Sequence, residues 1–421
     1  AMIAADIQPT ATVDSDALRQ PRTAALPLQS TPTPVLSPVP VNPDPLQVRV
    51  WWPDELYPLP GSSAETIFNN QLEGFTLTYS AYRLDVRHKR SNGLGGIMPT
   101  LRTARPVAPG VLPDITLMRR ADLVSAAAEG LIVPLNDWVP ADMLDNLTPG
   151  VIGLGEVNGV LYGLPYGLNI YHSVYREEVF EGPTLTFDAV LEKRPAYLFP
   201  ANVSPGSLVN WTVLLQYVAA GGRLADSEGQ PILDEEPLLA VLDYYERGTA
   251  SDIFGPTLLT YTEFDAYWNS FVTGDTSLIG VDSLTYLKQG DMPSNVQLAP
   301  VPTLDGNAVT ALDGWMWVIT TADPERQEQA RSFLSWMMRV SQQSILTEAL
   351  GVLPSQQQAL RQWDNSAYAS FAQTMLPNSL IISSTERNNS AAIALQDSFA
   401  AVLNGTPATV AAEEALAQFS Q

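Results

Sequence analysis

The 421 residues offer two histidines, His88 and His172, and no cysteine for imidazole or thiol chemistry. A cysteine nucleophile, a thiolate metal site and a disulfide are therefore excluded. His88 stands in the basic run RLDVRHKR and reads as a solvated surface residue. His172 lies in an apolar stretch, where a partly buried, hydrogen-bonded histidine is expected rather than a general base. The carboxylate pairs Asp54/Glu55 and Glu177/Glu178 are adjacent in sequence. Nothing in that spacing makes them converge as acid–base catalysis requires. No HExxH, GxSxG or phosphate-cradling glycine loop occurs. No catalytic residue, metal site or cofactor is expected, and an enzyme is the disfavoured reading.

The aromatic residues point to a different chemistry. The chain carries nine tryptophans, several of them beside predicted strand ends. Ligands of open α/β sheets sit at the carboxyl ends of strands. A sugar presents C–H faces that stack on indole, and its hydroxyls need polar partners. A cleft for it needs flat aromatics interleaved with Asp, Glu, Asn and Arg. Trp138, Trp268, Trp336 and Trp363 fall on or beside helices at core-like spacing and are expected in the interior. Trp51/Trp52 and Trp315/Trp317 sit on strands, where one of each pair must point inward.

Composition sets the class. Lys and Arg number 22 against 45 Asp and Glu, a net charge of -23. Such a chain repels nucleic acid, and no basic stripe overrides this. No apolar run approaches the roughly 18 residues that span a bilayer. Residues 1–45 lack the apolar core of a signal peptide, and the opening Ala1-Met2 reads as a cloning scar. Any signal or lipid-bearing cysteine would lie upstream. The stretch QSTPTPVLSPVPVNPDP is too poor in apolar side chains to offset its ordering entropy. Residues 1–45 are thus expected to be a disordered, Pro/Thr-rich tether suited to a lipoprotein stalk.

Order is expected from Leu46, where LQVRVWW alternates as a strand. A helix over Ser62–Glu73 with Ser62 or Ser63 as cap, a strand near 75–87, a helix near 97–105 and the strand ITLM after Pro113-Asp114 follow. This alternation predicts an α/β lobe with a largely parallel sheet. The chain is expected to leave that lobe at 164–167, build a second one and return through VQLAPVPTLDGN at 296–307. Residues 355–421 read as helices capping the second lobe.

The order of segments resembles the bacterial extracellular solute-binding proteins of ABC importers, in particular the maltose-binding-like family. PDITLMRRADLVSAAAEGLIVPLNDW and VNGVLYGLPYGLNIYHSVYREEVF carry the likeness, supported by GGRLADSEGQPILDEEPLLAVLDYY, FVTGDTSLIG and APVPTLDGNAVTALDGWMWVIT. The resemblance implies a two-lobe, type II periplasmic-binding-protein-like α/β fold. Its lobes are expected over 46–165 plus 303–352 and 166–302 plus 353–421. It also implies capture of a small polar solute, expected to be a neutral mono- or disaccharide, by hinge closure outside the cytoplasmic membrane. A permease and an ATPase would be the partners of a monomeric chain.

By the same resemblance, the turn after the first strand brings Trp52, Asp54 and Glu55 to the ligand. The turn after ITLM brings Met118 and Arg119, with Arg120 and Asp122 beside them. Tyr166 and Asn169 lie at the first crossing. Trp211 stands near an aromatic platform position, and Asp313 and Trp315 lie at the return crossing. After FVTGDTSLIG the resembled maltose binder has a stacking aromatic, where this chain has Asp282, Ser283 and Leu284. SAAIALQ at 390–396 also lacks one. A long maltodextrin platform is therefore not expected. Two alternatives stay open: a binder of an amino acid, peptide or organic acid, favoured by Arg119, Arg120 or Arg387 in the cleft, and a sensory or structural lipoprotein.

Overall fold

β1 (Leu46–Pro53) is the alternating segment at which order was expected. The computed structural model describes residues 45–203, 208–289 and 292–419, which fall in the unit Pro45–Gln421. All but the last residue of the expected tether lies outside the described residues. The Ser62 hydroxyl accepts the Glu65 amide and starts α1 (Ser63–Thr78), which runs past the predicted end because Phe75 continues its buried face. The next strand, β2 (Tyr82–Lys89), consequently begins later than expected. α2 (Ile97–Ala104), β3 (Ile115–Arg119) and α3 (Arg120–Ala128) complete the alternation.

β4 (Glu156–Val157) and β5 (Val160–Leu161) form a separate small hairpin. The remaining principal strands are β6 (Leu164–Arg176), β7 (Tyr197–Leu198), β8 (Leu278–Asp282), β9 (Val296–Ala299) and β10 (Thr310–Ile319). Their path is β2-β1-β3-β10-β6-β8-β7. The expected parallel pairing holds for β1 with β2 and β3 and for β7 with β8. The long strands are antiparallel: β10 pairs with β3 and β6, and β6 goes on to pair with β8 and β9. One ladder therefore runs continuously through both halves, carried by β6 and β10. The return crossing is β10 itself; β9, inside the predicted 296–307 crossing, is an edge partner of β6.

Two large buried cores flank these crossing strands. The first gathers Val48, Val50, Phe68, Leu117, Leu164, Trp317 and Phe333. The second gathers Val190, Phe199, Val213, Leu242, Tyr245 and Phe399. Leu360, Trp363, Tyr368 and Met375 join the first core. Part of the region 353–376, expected to cap the second lobe, therefore packs on the first, while Tyr368 also bonds His172 and stacks on Tyr286; the later helices Ser390–Leu403 and Ala408–Leu416 cover the second core.

His172 sits on β6 and is fully buried. Its Nδ1 lies 3.1 Å from the Ser173 carbonyl and its Nε2 2.9 Å from the Tyr368 hydroxyl. With Nδ1–H donating to that carbonyl, Nε2 accepts the phenol proton. Burial lowers its pKa from 6.5 to about 4. The unfolded chain therefore binds this proton more readily than the folded one. The His172 contribution should be complete above pH 6.5 and fade as pH falls towards 4. Denaturant midpoints across that window should show the decline, and His172→Gln should flatten it.

Candidate solute-binding cleft

β3 and β8, on opposite sides of the crossing strands, each end at a polar helix start. β3 passes directly into α3, so Arg119, Arg120 and Asp122 leave the sheet together. β8 ends at Asp282, whose carboxylate caps the helix Ser283–Lys288 by accepting Thr285 N (3.0 Å) and Oγ1 (2.7 Å). Asn210 caps the helix Trp211–Ala219, whose first residue is Trp211. Between these ends lies a cleft of about 840 Å³. Asn169 and Tyr171 from β6 and Leu312 and Asp313 from β10 face it, and the turn Ile382–Thr385 with Arg387 closes one side.

The polar groups are arranged unequally. Arg119 donates to the Asp313 carboxylate at 2.6 Å, and its guanidinium lies 4.9 Å from the Trp315 ring centre. Arg120 is held by the carbonyls of Gly153, Leu154 and Glu156 at 2.8–2.9 Å, so it braces the wall. The Asn169 amide oxygen accepts Ser283 Oγ and Leu284 N. Burial, and next the charge of Glu55, raise the Asp122 pKa. The Arg387 guanidinium lies over Trp211 at 4.5 Å, and burial lowers its pKa.

Of the residues expected from the sequence, Arg119, Asn169, Trp211, Asp282 and Asp313 line this cleft, as do Arg120, Asp122 and Arg387. Trp52, Asp54, Glu55, Met118, Tyr166 and Trp315 do not. Trp52, Tyr166 and Trp315 are wholly buried and Met118 nearly so, all within the first core. The Trp52 indole N–H donates to the Leu56 carbonyl at 2.7 Å, and its ring packs edge-on against Phe68 and Trp317. The reason is common to them: each sits on a stretch of β1, β3, β6 or β10 that the first core covers, whereas β3, β6 and β10 reach the cleft at other residues, Arg119, Asn169, Tyr171, Leu312 and Asp313. Asp54 pairs with His88 at 2.6 Å, and Glu55 accepts the Ser91 hydroxyl at 2.6 Å, both away from the cleft lining. Asn92, Asn202, Asn210 and Glu263 line it without having been expected. The short helix Ser384–Arg387 carries a legible signal, the Ser383/Glu386 capping box at its start.

Among the described residues, no group of His, Asp and Glu could hold a metal ion, and no helix is long and apolar enough to cross a membrane.

Two lobes with separate cores, joined by crossing strands and enclosing a polar cleft, make this the type II periplasmic-binding-protein fold. Solved structures share it. The cyclic alpha-maltosyl-1,6-maltose binding protein of Arthrobacter globiformis matches with a TM-score of 0.68 at 19% identity, over 88% of this chain and 98% of that one. Maltose-bound MalE3 of T. maritima matches with a TM-score of 0.64 at 17% identity, over 89% and 98%. In sequence, a maltotriose-binding protein of Pyrococcus abyssi is 21% identical over 248 residues, 56% of this chain and 52% of that protein. The chain thus spans about half the length of this curated relative. The family model for bacterial extracellular solute-binding proteins matches residues 80–371, and the chain belongs to that family.

Proposed function

We propose that the protein captures a small saccharide, of one to about three units, between its lobes and delivers it to an ABC permease. The observation that carries this reading is Trp211, the one tryptophan on the cleft wall among the described residues, set among Asn169, Asn202, Asp282 and Asp313. An indole beside amide and carboxylate acceptors suits a sugar ring and its hydroxyls. The saccharide ligands in the names of the similar proteins support the same class. Binding rather than catalysis fits the family, as does a place outside the cytoplasmic membrane, with a lipid at the N-terminus as the expected attachment.

Closure is a population shift, because a ligand touching both walls favours the state in which they approach. The moving bodies are bounded where β6 and β10 cross, near 164–170 and 310–314. Calorimetric titration with mono-, di- and trisaccharides tests the reading. Trp211→Ala should weaken binding by roughly 1–2 kcal/mol, the scale of an aromatic contact with its buried area. Unchanged affinity in that variant would remove the cleft assignment.

A further inference from the structure

Arg387 differs from the other arginines of the cleft. Arg119 has Asp313, and Arg120 has three backbone carbonyls. Among the described residues no carboxylate comes within ion-pair distance of Arg387, and its Nε is buried without a hydrogen-bond partner. The nearest charges acting on it are Asp313, which favours its charged form, and Arg119, which opposes it. Asp313 thus acts on three guanidiniums, those of Arg119, Arg120 and Arg387, while bonding only to Arg119. Arg387 is half-buried at the cleft wall, and a partly desolvated cation left short of an anion is a ready site for one.

The other acids at the cleft leave that shortfall in place. Asp282 is engaged with Thr285 at its own helix start. Asp122 is not among the charges that act on Arg387. Glu263 and Asp265 are exposed to solvent.

The position of the guanidinium matters as much as its charge. Trp211 packs against the second core and the small cluster around Tyr171 and Leu215, and Arg387 lies over its ring. A neutral pyranose seeking the covered indole face must first lift Arg387 away and give up the cation–π contact. A sugar bearing a carboxylate can leave Arg387 where it is and accept two N–H groups from the edge of the fork.

We propose that the ligand is an acidic saccharide of the uronate class, its carboxylate anchored by Arg387 beside Trp211. This rests on the saccharide reading above and replaces the neutral sugar expected from the sequence. A single negative charge matches Arg387, the one cleft guanidinium that, among the described residues, bonds neither a carboxylate nor backbone carbonyls.

The test is calorimetric titration of the full chain with matched pairs: D-galacturonate and D-galactose, D-glucuronate and D-glucose, digalacturonate and galactobiose, with glucose 6-phosphate and succinate as further probes. At least one uronate should bind about tenfold or more tighter than its neutral counterpart, the scale of a hydrogen bond to a charged group. That advantage should shrink with added salt and vanish in Arg387→Gln, which keeps a donor but loses charge and fork. Arg387→Lys should recover only part of it. Circular dichroism should show both variants folded; if Arg387→Gln does not fold, the wild-type preference and its salt dependence decide alone. Neutral sugars binding as well as the uronates would overturn the acidic class and leave the saccharide reading intact. Preference for glucose 6-phosphate would overturn the carboxylate. Binding of succinate alone, or of no probe, would overturn the saccharide reading and this inference with it.

Discussion

Arg326→Ala should destabilise the protein by about 3–5 kcal/mol, the largest loss expected of any single truncation here. Asp114, wholly buried, opens the segment that becomes β3. One carboxylate oxygen accepts the Arg49 amide of β1 at 2.7 Å, and the other meets Arg326 at 2.5 Å. Its backbone exchanges bonds with Arg49 and Thr320. Arg326, on the helix Pro324–Met337, also donates to the Leu112 carbonyl. This one pair therefore ties β1, β3, β10 and that helix together. Removing Arg326 leaves an ionised carboxylate in the interior with one amide for company. Burial already raises the Asp114 pKa, ahead of the opposing pull of the Arg49 amide and Arg326. A carboxyl raised in the folded state binds its proton more tightly there than when unfolded. Its contribution is best below the unfolded pKa and declines as pH rises through the folded one. The Arg326→Ala deficit should therefore be largest at neutral pH and shrink on acidification, and Asp114→Asn in the same chain should recover part of it. Denaturant unfolding at neutral and mildly acidic pH checks both statements. An equal deficit at the two would show that Asp114 is not the group left stranded.

Gly314→Ala should destabilise by roughly 3 kcal/mol or more, at and beyond the usual range for overpacking. Gly314 lies on β10 where it pairs with Leu168 of β6, between the two cores. A Cβ there would stand 2.3 Å from the Gly167 carbonyl oxygen and 3.2 Å from the Leu168 Cα. Those are backbone atoms, so relief requires the crossing strands to separate. The strand register already shifts between Trp315 and Met316. Gly167 is the control: a Cβ on it would meet Val352 Cγ2 at 3.1 Å, a side chain that can turn aside. Gly167→Ala should be several-fold milder in unfolding assays. Since β6 and β10 are the bridges between lobes, Gly314→Ala should also change the compaction seen by scattering on ligand addition. Equal effects of the two substitutions would mean that the strands are not in register-critical contact.

The parts of the fold that were legible are those with local causes. Alternation marked β1, the Ser62 cap marked α1, and the apolar run ending in charged residues marked β3 and α3. Phe75 shows the limit: its helical and strand readings are equally apolar, and packing against Phe333 and Trp336 decided for the helix. The cleft was legible where a polar side chain ends a strand or begins a helix, as at Arg119, Asp282 and Trp211. It was not legible on interior strands, where Trp52, Tyr166 and Trp315 have no solvent face to choose. Arg387 was legible only as one of three arginines that would favour a charged solute; its place over Trp211 was not, because it depends on distant packing that brings one short helix to that indole. The helices at 357–376 were expected to cap the second lobe; Trp363 joins the first core, and Tyr368 touches that core as well as His172 and Tyr286, contacts that no local pattern signals.

The indoles set how the protein will look in a fluorimeter. Trp51, Trp52, Trp315, Trp317, Trp336 and Trp363 are buried, so most of the emission should arise in apolar surroundings and lie towards the blue. Trp211 alone among the described tryptophans faces the cleft. A captured ligand will therefore alter a minor share of the total signal, and an unchanged bulk spectrum would not mean an empty protein. Iodide or acrylamide quenching reads that share against the half-buried Trp138 and Trp268: occupancy should shield Trp211 and leave the quenching of those two unchanged, while the interior indoles are already out of reach.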